Sequence, residues 1–244
     1  MECFIVTPED IDLSRRELSL QGDEARHAAR SLRMRVGESF MATDLCGSCY
    51  LATINRIDDV GKHDIVVRAT IDDVLPEHSE PTISVELIQG ILNQPSKFEE
   101  IIERCTEIGI CVFTPMVSER VERDNVKRDR LEKLLRSSCK QAHRARMPLL
   151  QRTQSFDEAL EAANRAGKVI ILLHEGAELS KSIRSALGAS SGSQLALVIG
   201  PEGGFSEAEV KRAVSKFGAF VASLGPRRLR AETAAFTASA IALV

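Results

Sequence analysis

Two glycine-bearing turns near the end of the chain, each following a short apolar run and opening a helical segment, constrain the fold more than any other feature. In the first, Gln194-Leu195-Ala196-Leu197-Val198-Ile199 runs into Gly200-Pro201-Glu202-Gly203-Gly204-Phe205, and Ser206 stands three residues before Glu209 as a helix capping box. In the second, Phe220-Val221-Ala222-Ser223-Leu224 runs into Gly225-Pro226-Arg227-Arg228-Leu229-Arg230 and then Ala231-Glu232-Thr233-Ala234. In a parallel α/β sheet such turns lie at the carboxyl ends of strands, where backbone freed by glycine closes around a ligand. Gly200-x-x-Gly203-Gly204 fits neither the dinucleotide fingerprint nor the P-loop, and no Lys-Ser/Thr pair follows, which argues against a nucleoside triphosphate.

Upstream the pattern changes twice. Alternating runs at 3–7, 38–44, 49–57 and 64–71, with a helical interval over 23–32, describe a small β-rich domain over residues 1–74. The proline-bracketed polar stretch 75–82 reads as a linker. Over 83–244 strands at 83–92, 111–117 and 168–174 alternate with helices at 97–109, 126–142 and 156–166, the pattern of a parallel sheet covered on both faces. The last stretch, 233–244, is alanine, threonine and aliphatic residues, so it is expected to be buried nearly all round.

Composition narrows the chemistry. With 43% hydrophobic residues in 244 the chain can fill one large or two modest cores, and no apolar run reaches the roughly 20 residues a membrane span needs. We expect a cytoplasmic protein without membrane attachment. Cys46-Gly47-Ser48-Cys49 has no second ligand pair, so a hairpin turn is expected there and no metal site. The net charge of −3 does not advertise nucleic-acid binding, and residues 1–78 hold 9 basic against 15 acidic side chains, compared with 23 against 20 beyond. The basic clusters are local: Arg26, Arg30 and Arg33 at helical spacing, then Lys140, His143, Arg144 and Arg146 at the end of a helix.

The two turns taken together, Ile-Gly-Pro-Glu-Gly-Gly, then Leu-Gly, then Leu-Arg-x-Glu-Thr-Ala, resemble the signature of the SPOUT methyltransferases. Lys97-Phe98-Glu99, Thr106-Glu107-Ile108-Gly109, Thr114-Pro115, Ser118-Glu119-Arg120 and, upstream, His27 with Leu32-Arg33 and Gly37 resemble the RsmE family within that group. The resemblance covers nearly the whole chain. It implies an α/β fold in which a PUA-like RNA-binding β-barrel precedes a SPOUT domain with a deep trefoil knot, a homodimer, S-adenosyl-L-methionine (SAM) as cofactor, and methylation of N3 of a uridine in small-subunit (16S) ribosomal RNA. A SPOUT enzyme acting on tRNA or on a ribose hydroxyl, and a noncatalytic RNA-binding assembly factor, are the alternatives. The chain departs from the family pattern at Arg104, where a lysine is expected, at Glu2-Cys3-Phe4 for Arg-x-Phe, and at Lys140-Gln141-Ala142-His143-Arg144 for Glu-Gln-Ser/Cys-Gly-Arg.

A third strand end, at Leu173-His174-Glu175-Gly176, is expected to meet the two turns. Leu173, Ile199, Leu224 and Leu229 offer apolar walls for adenine, and Gly200, Gly204 and Gly225 close backbone approach. The resemblance places His174, Glu175, Gly176, Thr233 and Ala234 in the same cofactor set. Uridine N3 loses a proton when it is methylated, so a cation is needed. Arg230 is the first candidate and Arg144 the second, while Glu232 either accepts the proton, orients Arg230 or caps its helix. RNA contact is expected at Arg26, His27, Arg30, Arg33 and Arg146.

Overall fold

A computed structural model describes residues 1–59, 65–121, 126–177, 182–189 and 194–244. The chain forms two compact units, 1–80 with 139–147, and 81–138 with 148–244.

The first unit is a sheet of β1 (Cys3–Ile5), β2 (Ile11–Asp12), β3 (Glu17–Leu20), β4 (Ser39–Thr43), β5 (Ser48–Asp59) and β6 (Ile65–Pro76), in the order β1-β4-β5-β6-β3-β2. Ile65, Val67, Ala69 and Ile71 of β6 are buried at every second position, and they pack with Phe4, Leu20, Phe40 and Ile54. Breaks in register at Leu51/Ala52 and Ile54/Arg56 mark bulges, which bend the long β5–β6 pair. The expected barrel is hydrogen-bonded only along this path, with β1 and β2 at its ends among the described residues. The regular helix expected over 23–32 is instead a short α1 (Gly22–Arg26) running into a π turn, His27–Ser31. Arg33 lies beyond it with φ +57°, so Arg26, Arg30 and Arg33 do not share one helical face.

Residues 139–147 join this unit, although the periodicity assigned them to the second domain. Backbone bonds hold the segment: Ala145 N–H to His78 O (3.1 Å), Met147 N–H to Leu45 O (3.0 Å) and Gly47 N–H to Ala145 O (3.0 Å). Such long-range bonds leave no local signal in a sequence. Leu75 and Pro76, expected in the linker, finish β6. His143, standing where the family pattern has glycine, takes φ +55°, a region that favours glycine.

The second unit is a parallel sheet of β7 (Ser84–Gly90), β8 (Val112–Val117), β9 (Leu149–Leu150), β10 (Gln154–Ser155), β11 (Val169–Leu173), β12 (Gln194–Ile199) and β13 (Phe220–Ala222). Its order is β10-β8-β7-β12-β11-β13, with β9 on β8. The helices are α2 (Pro95–Ile108), α3 (Arg128–Gln141), whose last turn is grouped with the first unit, α4 (Phe156–Arg165), α5 (Ile183–Ala189), α6 (Glu207–Phe217) and α7 (Ala231–Leu243). Leu195 to Ile199 of β12 are all buried, as a central strand covered on both faces requires. Both Ser155–Glu158 and Ser206–Glu209 form complete capping boxes, starting α4 and α6 where the sequence puts them. Phe156 and Phe205 meet edge to face at 5.6 Å in the core between these helices and the sheet.

Helix α7 packs on α2, α5, β7 and β12. It is not buried all round within one chain. Ala231, Glu232, Ala235, Ala238 and Ser239 are covered, Phe236, Thr237, Ala240 and Ile241 are half-buried, and Thr233 is exposed. Composition alone predicted full burial because alanine and threonine suit a covered face and a partly covered one equally.

Candidate active site at the strand ends

Strands running parallel deliver their carboxyl ends to one edge, and there the loops after β11, β12 and β13 enclose a cavity of about 740 Å³. Its lining comprises 173–175, 199–205, 223–225, 227–232 and 234, with Lys97, Arg120 and Glu207.

The β12–α6 loop is braced from every side. A side-chain carbon on Gly90, the last residue of β7, would fall 2.5 Å from Pro201 N, and one on Gly200 would fall 3.2 Å from the Gly204 backbone. Only glycine permits that approach. Gln89 donates from Nε2 to Gly200 O (3.2 Å), Arg120 from Nη1 to Gly203 O (2.7 Å), and the Asn93 N–H to the Glu202 carboxylate (3.1 Å). Glu209 is fully buried and accepts the N–H of both Ser206 (2.9 Å) and Glu119 (2.9 Å), so the cap of α6 also fastens the loop that carries Arg120. Neighbouring Glu119 has its carboxyl held below the ordinary range by a Ser206 hydrogen bond and, more weakly, by Arg212.

The β13–α7 loop is looser. Ser223 Oγ closes a small ring with Gly225, accepting its N–H at 3.1 Å, and Gly225 takes φ +112°. Arg228 reaches across to Glu175 (3.1 Å) with both side chains exposed. Arg230, the residue before α7, is exposed, and its guanidinium has no hydrogen-bond or ion-pair partner among the described residues. Glu232 is only 9% exposed, with Oε1 3.7 Å from Lys97 Nζ and Oε2 buried with no partner among the described residues. A buried carboxylate oxygen left without a donor needs an explanation, and a ligand supplies one. On β11's loop His174 Nδ1 accepts the Gly176 N–H (3.0 Å), which leaves Nε2 as the ring's donor.

Of the residues expected here, Leu173, His174, Glu175, Ile199, Gly200, Gly204, Leu224, Gly225, Leu229, Arg230, Glu232 and Ala234 line the cavity. Gly176 and Thr233 do not; both are exposed, Thr233 on the outer side of α7's first turn. Arg144 is elsewhere, in the first unit, 2% exposed and paired with Glu80 at 2.6 Å. Arg26, His27, Arg30, Arg33 and Arg146 are also in the first unit. There Arg26 pairs with Asp23, Arg146 binds Glu77 (2.8 Å from Nε) and Cys46 O (2.8 Å), and His27 lies edge-on to Phe4 at 6.2 Å. Lys140, the inverted charge, pairs with Glu24 at 2.7 Å.

Lys97 and Arg120 were not anticipated as site residues. Both sit in stretches that carried the family resemblance, and the rule that parallel strands end together places the loops after β7 and β8 at the same edge. The Cys46–Cys49 stretch is the β4–β5 turn, its N–H groups gathered by Asp44 Oδ1. Among the described residues no three His, Cys, Asp or Glu side chains are placed to hold a metal ion, and no helix is long and apolar enough to cross a membrane.

Residues 78–243 match the RNA methyltransferase domain and residues 20–59 the RNA methyltransferase PUA domain. The ribosomal RNA small subunit methyltransferase E of Bacillus subtilis is 30% identical over 228 residues, covering 88% of this chain and 85% of that protein. Its Synechocystis namesake is 29% identical over 235 residues, 95% and 73% of the two chains. Among solved structures, a ribosomal RNA small subunit methyltransferase E from Neisseria gonorrhoeae bound to S-adenosyl methionine superposes with a TM-score of 0.78 at 26% identity, covering 99% of this chain and 96% of that one. A methyltransferase from Legionella pneumophila in complex with SAM gives 0.78 at 27% identity, with the same coverage.

Proposed function

The chain belongs to the RNA methyltransferase family that includes the ribosomal RNA small subunit methyltransferase E proteins, and from that membership we propose that it methylates N3 of a uridine in small-subunit ribosomal RNA. Its fold is α/β with an N-terminal PUA-like domain, and it is a SAM-dependent ribosomal RNA methyltransferase. The observation that carries the N3 reading is the convergence of Arg230 and the partnerless Glu232 oxygen on one cavity.

The cavity fits SAM on its own features: a glycine cradle at Gly200 and Gly204, apolar walls from Leu173, Ile199, Leu224 and Leu229, and polar groups at His174 and Glu175. Bound there, SAM supplies an electrophilic methyl group. The protein's own part is alignment and charge control. Arg230 offers paired donors to the negative charge that spreads over the uracil carbonyls as N3 gives up its proton. Glu232 is the acceptor for that proton, one oxygen beside Lys97 and the other without a partner among the described residues. Arg120 and Glu209 act at one remove, keeping the β12–α6 loop in shape.

The half-buried outer face of α7, with Phe236, Thr237, Ala240 and Ile241, supports a homodimer built on that helix. The return of α7 from the edge strand β13 to pack on α2, β7 and β12 supports a deep trefoil knot. A ribosomal substrate supports a cytoplasmic location. The test is to treat small subunits from a strain lacking the gene with the protein and labelled SAM, then locate the label by nuclease mapping and mass spectrometry. One uridine carrying a methyl at N3 is expected, and a ribose methyl or label only in tRNA would overturn the reading.

A further inference from the structure

Lys97 and Glu232 form a cation–anion pair at the cavity that is close enough for attraction and too long for a hydrogen bond. The Nζ–Oε1 separation is 3.7 Å, whereas ammonium–carboxylate hydrogen bonds span about 2.7–2.9 Å. The Lys97 side chain is 28% exposed, and its ammonium has no other ion-pair or hydrogen-bond partner among the described residues, so its N–H groups remain available to a ligand. Glu232 Oε2 is buried and equally unengaged. Both residues line the cavity. The two side chains therefore present, side by side, a strong donor and a strong acceptor that the protein does not satisfy itself.

The imide edge of uracil is the complement of that arrangement. It offers a carbonyl acceptor next to the N3–H donor, whereas the same edge of cytosine offers an amino donor next to a bare N3 acceptor. We infer that Lys97 and Glu232 together read the imide edge of the target base, and that Lys97 is a catalytic residue. In this arrangement, which rests on the uridine N3 reading above, Lys97 donates to O4, the carbonyl that cytosine replaces by an amino group, and Glu232 Oε2 accepts from N3–H. When the proton passes from N3 to Glu232, the electron pair it leaves is shared between N3 and the carbonyl oxygen, where Lys97 holds the charge and Arg230 serves the second carbonyl. Cytosine would set ammonium against amino group and carboxylate against a lone pair, so the same pair selects the base and promotes its reaction.

Binding without turnover tests the reading. With S-adenosylhomocysteine in the cavity, wild-type protein is expected to prefer subunits carrying uridine at the mapped position over subunits carrying cytidine there by about tenfold or more, the discrimination of one good paired contact. Lys97→Met should cut that preference at least about threefold, Glu232 alone still opposing cytosine's bare N3, while the dissociation constant for SAM stays within about twofold, which also reports that the variant is folded. In single turnover, Lys97→Met should be slowed by about a hundredfold, Lys97→Arg far less, and 5-fluorouridine at the target, whose N3 is more acidic, should recover much of the lost rate. Unchanged preference for uridine in Lys97→Met overturns the proposal. So does a tenfold or greater loss of SAM affinity, which would assign the pair to the amino-acid end of the cofactor. Recovery of full rate in Lys97→Met combined with Glu232→Gln would reduce Lys97 to a neutraliser of Glu232 and overturn it too. A methyl group found away from N3 in the wild-type product sinks the underlying reading itself, before any variant is made.

Discussion

The cations of the first unit's basic clusters and three of the cations beside the cavity differ in what holds them. In the first unit, Arg26 is paired with Asp23, Lys140 with Glu24, Arg144 with Glu80 and Arg146 with Glu77. Around the cavity of the second, Arg227 and Arg230 have no ion-pair partner among the described residues, and Lys97 has a neighbour it does not hydrogen-bond. A cation already neutralised by a carboxylate has less to give a phosphate or a developing oxyanion, since binding it there means breaking the existing pair. Counting lysines and arginines along the sequence ranked the first unit's clusters as the RNA-contacting set. Which of them are spent becomes visible only with their partners.

The contrast is sharpest at Arg144, where the guanidinium is 2% exposed and Glu80's side chain 7%. Removing one member of a buried pair strands the other, so Arg144→Ala should cost about 3–5 kcal/mol, read as a lower urea midpoint. A stable Arg144→Ala protein that has lost methyl transfer would reverse the comparison, making Arg144 a reactive cation after all. Arg230→Ala should do the opposite: melting and SAM affinity near normal, with methyl transfer slowed by about 10²–10³-fold, or roughly 2.7–4 kcal/mol of barrier. Arg230→Lys should also be slow if two parallel donors are what the carbonyl needs.

Salt dependence weighs the same contrast more finely. Three independent phosphate contacts would contribute a slope of about 2 in log affinity against log salt, at roughly 0.7 each for single-stranded RNA. Replacing Arg26, Arg30 and Arg33 together by Ala should remove clearly less than that, because Arg26 is engaged with Asp23, while Arg227→Ala alone should remove close to one full contact. Loss of the whole expected slope in the triple variant would show that these pairs open on RNA and would erase the distinction. The smallest effect concerns acid. The Arg146 hydrogen bond holds Glu77's carboxyl below its ordinary 4.5, so the clasp contributes above that pH and is lost only as pH falls through the depressed value. Protection of the Ala145 and Met147 amides, taken relative to the intrinsic exchange rate at each pH, should therefore hold through the ordinary carboxylate range and fall only in stronger acid.

The parts of this molecule that could be read from sequence are those whose causes are local. Ser206 with Glu209, the apolar run 194–199 and the glycines at 200, 204 and 225 each act within a few residues, so the strand–loop–helix units and most of the cavity wall could be placed. Gly176 and Thr233 stand outside the cavity lining because of the direction in which a turn and a helix point, which a residue list does not carry. The return of 139–147 to the first unit depends on backbone bonds to His78, Leu45 and Gly47, far away along the chain. Lys97 is separated from Glu232 by most of the second unit's sequence, and nothing near either residue announces the pair.

The contact between Gly90 and Pro201 has a consequence for how such a site can change. Because a single added carbon at Gly90 would collide with the Pro201 backbone, the end of β7 and the β12–α6 loop form one wall, and that side of the cavity cannot be widened a residue at a time. The middle of the β13–α7 loop, at Pro226, Arg227 and Arg228, is under no such constraint: the loop's own brace is a short ring at Ser223 and Gly225, and these three residues are exposed. Selection for a different RNA context thus has one stretch open to substitution, and variation in this architecture should accumulate around Arg227 and Arg228 while the wall opposite stays as it is.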